Sequence, residues 1–175
     1  MYVKTRDLTL QPIRRQDIPA VAALFMDETV KQTYMVPDFQ SKAEAEALFA
    51  RLQTLSKEQD RFVVGIYFGT ECVGIMNETE VVDKQIELGY AILPEYHNQG
   101  FATEALKAAI RWLLDKGFER VITGAFQENA ASIRVMVKSG MKPVERHDQI
   151  EYRGAIHQCV YYMAEKIYGG GGDTP

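Results

Sequence analysis

Between Arg61 and Leu93 the chain reads RFVVGIYFGTECVGIMNETEVVDKQIELGYAIL, rich in β-branched and aromatic residues and interrupted at Gly69-Thr70 and Asp83-Lys84. That pattern predicts three strands folded as an antiparallel meander. In the last of them, alternation sets Glu87, Gly89, Ala91 and Leu93 on one face and Ile86, Leu88, Tyr90 and Ile92 on the other. Upstream, Leu8, Leu10 and Pro12 alternate with polar neighbours and predict a strand over 8–13, with Pro12 at an edge or a strand end. Ile18, Val21, Ala22, Leu24 and Phe25 form one helical face, with Asp17 as N-cap and Pro19 in the first turn. After the irregular stretch TYMVPDFQ, Ser41 and Glu44 have capping-box spacing. Ala45, Leu48, Leu52 and Leu55 then continue at helical spacing to about Ser56.

Downstream of Leu93 the periods alternate. A helix from about Ala102 to Lys116 carries the apolar stripe Ala105, Leu106, Ala109, Ile110 and Leu113, which predicts core packing. The strand RVITGAF, a helix from about Ala130 to Ser139 and two strands joined near Arg153-Gly154 complete the pattern. The sum is a mixed α/β sheet. A single domain is expected over 1–168, followed by a flexible glycine-rich tail over 169–175.

Composition agrees with one core: 175 residues, 46% hydrophobic and 25% charged. No window offers the ~18 uncharged apolar residues of a membrane helix, and MYVKTRDLTLQPIRR lacks the apolar centre of a signal peptide, so a cytoplasmic protein without membrane partners is expected. Cys72 and Cys159 form no C-x-x-C pair and are expected as buried thiols. His97, His147 and His157 show no ligand spacing, so loop or surface positions and no metal site are expected. The formal net charge of -4 argues against a nucleic-acid partner and agrees with an amine substrate. Oligomeric state, a homodimer included, is left open.

The strand ending at Leu93 turns into a helix through Asn98, Gln99, Gly100, Phe101 and Ala102. The first N–H groups of such a helix have no intrahelical partners, and its dipole makes that end partially positive. Glycine followed by small Ala102 lets a phosphate approach the backbone. The absence of G-K-[ST] and of G-x-G-x-x-G excludes a Walker-type loop and a dinucleotide fingerprint. Taken alone, the turn serves an anion or only the chain reversal.

His97 to Ala102, within LPEYHNQGFATEAL, resembles motif A of the GNAT acetyltransferase superfamily, [RQ]-x-x-G-x-[GA], with His97 where Arg or Gln is usual. NAASIRVMVKSGM, over 129–141, is similar to the N-x-x-S-x-r-v-m-x-k-x-G segment of the branch that includes the Rim-type ribosomal-protein N-terminal acetyltransferases. Two motifs in the right order, about thirty residues apart, are a stronger signal than either alone.

The resemblance implies a mixed, largely antiparallel sheet of about seven strands, flanked by helices and splayed in the middle to hold coenzyme A. It implies acetyl-coenzyme A as cosubstrate and a primary amine as acceptor: a protein N-terminus, or a small amine such as a polyamine, amino acid or aminoglycoside. A coenzyme A-binding protein without catalysis is the alternative. In the resemblance the pyrophosphate lies on the backbone of Asn98, Gln99, Gly100, Phe101, Ala102 and Thr103. Backbone groups at Ala91, Ile92 and Leu93 handle pantetheine and the oxyanion, and Asn129 holds the ligand's amides. The superfamily's usual tyrosine is replaced by Met136, and the Rim-type branch instead has a serine three residues after the asparagine, so the resemblance implies Ser132 as the proton donor to the thiolate. Asn129 and Ser132 equally fit a helix N-cap pair. Glu87 is the candidate general base, with a salt-bridged strand glutamate as the other reading and Glu78 and Glu80 as competitors. Asp27, Glu28 and Asp38 border either an acceptor groove or solvent.

Overall fold

The computed structural model describes residues 1–37 and 39–166. The expected tail, the boundary at 168 and the expectation for Asp38 lie outside the described residues. Strands β1 (Val3–Lys4), β2 (Leu8–Gln11), β3 (Val63–Phe68), β4 (Glu71–Val82), β5 (Gln85–Ile92), β6 (Arg120–Phe126), β7 (Lys142–Tyr152) and β8 (Ala155–Glu165) form one sheet in the order β1-β2-β3-β4-β5-β6-β8-β7. The count exceeds the expected seven because β1, two residues long, is too short to show a period. Neighbours are antiparallel except β5 and β6, which run parallel and pair only at Gln85–Arg120, Ile86–Val121 and Glu87–Ile122. Beyond those pairs the two strands diverge, as the resemblance implies.

The helices are α1 (Ile18–Met26), α2 (Glu28–Lys31), α3 (Lys42–Leu55), α4 (Phe101–Asp115) and α5 (Ala130–Lys138). One face of the sheet, through Leu8, Leu10, Ile86, Leu88 and Ile92, packs on the stripe of α4 and on Met136 of α5. Each such leucine or isoleucine taken out of water contributes about 1.5–3 kcal/mol. The other face, through Val63, Tyr67, Ile75 and Ala91, packs on α1 and α3. A third cluster, Ile122, Phe126, Cys159 and Tyr161, lies along β6 and β8.

Several local expectations are corrected. Pro12 stands at a strand end, as one of its two readings has it, and not at an edge, because β2 ends at Gln11 and runs between β1 and β3. Asp17 stands before α1 but does not cap it, because its carboxylate accepts from Arg14 and from the Tyr67 hydroxyl. The buried face of α3 is Ala45, Phe49 and Gln53, with Leu48, Leu52 and Leu55 only half-buried. Helix α2 was not foreseen; Asp27 caps it, accepting from the N–H groups of Thr29 and Val30. At α3, Ser41 accepts from Glu44 N–H as expected, whereas Glu44 turns to the Gln40 N–H. His97 in a loop and His147 exposed on β7 are placed as expected, whereas His157 on β8 is half-buried and stacks against Phe126, ring centroids 4.3 Å apart.

Candidate active site

Where β5 leaves β6, its outward backbone groups lose their strand partner. The Leu93 N–H is bonded to Val73 O on the β4 side, so by alternation Leu88, Tyr90 and Ile92 direct their backbone groups into the gap. Two of these are caught by side chains. The buried Thr123 hydroxyl donates to Leu88 O at 2.8 Å, and His97 Nε2 lies 2.8 Å from Ile92 O, which fixes that nitrogen as the protonated one. The gap opens into a cavity of about 470 Å³ that continues to the start of α4 and, in the other direction, to the turn after α2.

At the α4 end, Gly100 is the N-cap at φ 85, with no side chain capping the helix, and Asn98 is also left-handed at φ 61. The first helical bond is Glu104 N–H to Gly100 O, so the N–H groups of Phe101, Ala102 and Thr103 stay open for an anion. A Cβ at Gly100 would meet no protein atom within 4 Å. Glu104 anchors this end, accepting from the Thr5 hydroxyl and the Asp7 N–H. Arg134 and Lys138, one turn apart on α5, also line the cavity with positive side chains.

Of the residues singled out from the sequence, Glu87, Ala91, Ile92, Asn98, Gly100, Phe101, Ala102, Thr103, Asn129 and Ser132 line this cavity together. Leu93 and Gln99 do not. The Leu93 N–H is spent on Val73, and the Gln99 side chain donates to Glu95 O on the surface. Ala91 pairs with Ile75 on the β4 side, so Ile92, with Tyr90, turns its backbone to the gap. Asn129 caps α5, its Oδ1 accepting from Ser132 N–H at 3.0 Å, which leaves its amide Nδ2 as a donor to the cavity.

Glu87 lies in the cavity wall, its side chain 17% exposed, and its carboxylate is ion-paired with Arg146 at 2.9 Å while the Thr79 hydroxyl donates to the other oxygen at 3.3 Å. Arg146 sits in an irregularity of the β7–β8 pairing between Val144 and His147, the kind of bulge that redirects a side chain. Its guanidinium lies 3.9 Å from the Tyr161 ring centroid and also binds Asp148. The Tyr161 hydroxyl, then Arg146, hold the Asp148 carboxyl below the usual carboxylate range. Glu78 is tied to Arg61 and to Phe62 N–H, Glu80 is exposed, and neither lines the cavity. Tyr34 fills the acceptor side, donating to Asn77 Oδ1 at 2.8 Å, and Gly89 makes room for it. Asp27 is spent on its cap, and Glu28 pairs with Arg153 and Lys31.

Sequence reasoning missed Tyr90, Arg146 and Tyr161. Tyr90 was assigned to the face opposite Glu87, but where β5 becomes an edge the residues of both faces border the gap. Arg146 reaches Glu87 over 59 residues, which no local pattern reports. Among the described residues, no group of three or more His, Cys, Asp or Glu could hold a metal ion, and no helix is long and apolar enough to cross a membrane.

A sheet splayed between β5 and β6, an uncapped helix end and a carboxylate at the far side thus share one cavity. Residues 7–142 match the Acetyltransferase (GNAT) domain, and the chain belongs to that family, the acetyl-coenzyme A-dependent N-acetyltransferases. The chain is 27% identical over 149 residues to the uncharacterized N-acetyltransferase YoaA of Bacillus subtilis (strain 168), covering 80% of this chain and 82% of that one. It is also 27% identical over 172 residues to spermidine N(1)-acetyltransferase of Escherichia coli (strain K12), covering 89% and 88%. Among solved structures, RimL, a ribosomal L7/L12 alpha-N-protein acetyltransferase in complex with coenzyme A, shares the fold with a TM-score of 0.83 at 18% identity, covering 94% of this chain and 98% of that one.

Proposed function

We propose that the enzyme acetylates the N-terminal amine of a protein, with the amine attacking bound acetyl-coenzyme A directly in a ternary complex. The observation that carries this reading is the single cavity that joins the open N–H groups of Phe101 to Thr103 with Glu87 through the gap between β5 and β6. Holding both substrates in one cleft supplies several kcal/mol of the barrier, on the order of 7 or more when the geometry is tight. Each Glu87 oxygen accepts one hydrogen bond and keeps a lone pair for the acceptor's ammonium or for a water that takes its proton. The Ile92 N–H, directed into the gap, is the donor for the tetrahedral oxyanion. Ser132 protonates the departing thiolate, and Asn129 Nδ2 holds a pantetheine carbonyl.

The acceptor side favours an amine with one positive charge. Among the described residues Glu87 is the one acidic residue of the cavity lining, and Arg146 already meets its charge. A polyamine brings further ammonium groups that find no second carboxylate among the described residues of the lining. The fold likeness to RimL supports a protein N-terminus, whereas the likeness to spermidine N(1)-acetyltransferase favours acetylation of a small amine as the second reading. The two buried free thiols suit a reducing compartment, and the reading puts the enzyme in the cytoplasm.

The test is turnover with acetyl-coenzyme A across N-terminal peptides, spermidine and single amino acids, read as free thiol. Peptides are expected to have the highest kcat/KM. Preference for spermidine would establish the second reading, and coenzyme A binding without turnover of any amine would leave a binding protein.

A further inference from the structure

We propose that Tyr90 is a positioning residue for acetyl transfer: its hydroxyl donates to Ser132 Oγ and leaves the serine's own hydrogen aimed at the sulfur of the departing coenzyme A. The proposal rests on Ser132 as the proton donor. Tyr90 Oη lies 2.7 Å from Ser132 Oγ, joining β5 to the first turn of α5 across the gap, and both residues line the cavity. The backbone of Ser132 is fixed by its N–H bond to Asn129 Oδ1, so the Oγ–H rotor is the remaining freedom at that residue.

A hydroxyl has one hydrogen and two lone pairs, and the direction of the Tyr90–Ser132 bond decides what the serine can do. If serine donated to tyrosine, it would have nothing for sulfur. The other acceptor in reach of the tyrosine is Ser132 O at 3.4 Å, a long contact beside the 2.7 Å one. Burial pushes the Tyr90 phenol up to about 12, so it keeps its hydrogen throughout the range in which amines are acetylated. It stays neutral and so always has a hydrogen to offer Ser132 Oγ.

The proton balance follows. The acceptor nitrogen forms a bond to the thioester carbonyl carbon, the C–S bond breaks, and its electron pair goes to sulfur. An ammonium acceptor loses two protons in becoming an amide; one is released to solvent and the other is balanced on sulfur. Ser132 gives its hydrogen to sulfur and is reprotonated through water, while Tyr90 holds Oγ in place.

The test compares Tyr90→Phe, Ser132→Ala and the double variant in the full-length enzyme, with kcat, KM for acetyl-coenzyme A and the Kd of coenzyme A measured for each. Tyr90→Phe is expected to lower kcat about tenfold while KM and Kd stay at their wild-type values, and to cost nothing further on top of Ser132→Ala. Wild-type kcat in Tyr90→Phe beside a damaged Ser132→Ala would overturn the proposal. So would losses that multiply in the double variant, or a Tyr90→Phe protein that loses coenzyme A affinity along with kcat. A fully active Ser132→Ala would remove the serine's role as donor, and the tyrosine's with it, and is told apart from the first case by which single variant is silent.

Discussion

Gly124 on β6 has no side chain where the ring of its β8 partner Tyr161 lies: a Cβ there would stand 2.6 Å from Tyr161 Cε1. That ring supports the Arg146 guanidinium, which holds Glu87. Gly124→Ala is therefore expected to displace Tyr161, loosen the Arg146–Glu87 pair and lower kcat, with about 1–3 kcal/mol of stability lost to the overpacked contact. If coenzyme A is held chiefly at the α4 end, its affinity should stay unchanged. Calorimetry and steady-state kinetics on the same preparation check it; wild-type kcat in a destabilised protein would separate Tyr161 from the chemistry.

Glu87→Gln keeps the length and one accepting oxygen but removes the carboxylate's basicity. An α-amine has a pKa of about 8 and a lysine amine of about 10.4, so both arrive protonated at neutral pH. Turnover should fall on the order of a hundredfold near pH 7, and the deficit should shrink as pH rises toward the acceptor's own pKa. A pH-rate profile decides: a uniform loss at every pH would mean that Glu87 only positions the amine.

At Gly100, a substituted Cβ meets no protein atom, yet φ is 85, where an L side chain is strained by about 1–2 kcal/mol. Gly100→Ala should lose that much stability, and Gly100→Val more. If the coenzyme A pyrophosphate lies against this backbone, affinity should fall well beyond what unfolding explains. Isothermal titration far below the melting temperature is the measurement, and unchanged affinity would move the pyrophosphate elsewhere.

Cys159 lines the cavity, whereas Cys72 is buried away from it. Burial pushes the Cys72 thiol up to about 11 and raises that of Cys159 as well. Because the thiolate is the reactive form, labelling by a small alkylating reagent should be slow at pH 7 and accelerate as pH rises, with Cys159 modified first. Bound coenzyme A should protect it. Mass spectrometry of the time course checks the order; Cys72 reacting first, or no protection, would contradict the cavity's extent.

How much was legible depended on how local each signal is. The α4 stripe from Ala105 to Leu113 repeats at 3.6 residues, and all five of its positions are buried as read. The meander was marked by its turns. Glu87 and the Gly100 knot follow from alternation and from a strand meeting a helix, which are neighbour relations. Arg146 and Tyr161 could not be read, because a bulge in β7 and an inter-strand register bring them to Glu87. Leu93 was misplaced for a related reason: the sequence shows that a strand ends there, but not which neighbouring strand takes its N–H.

The Thr123 hydroxyl takes the Leu88 carbonyl where the β5–β6 pairing ends, and a consequence concerns mechanics. Five strands stand on one side of that point and three on the other, joined within the sheet by a seam of three residue pairs. A ligand lying in the gap touches both plates at once, so it adds rungs to the seam that the polypeptide leaves out. Occupancy and rigidity are then coupled. Amide hydrogen exchange at Tyr90 and Ile92 should slow when coenzyme A is bound, while the amides of β3 and β4, already laddered on both sides, should not change.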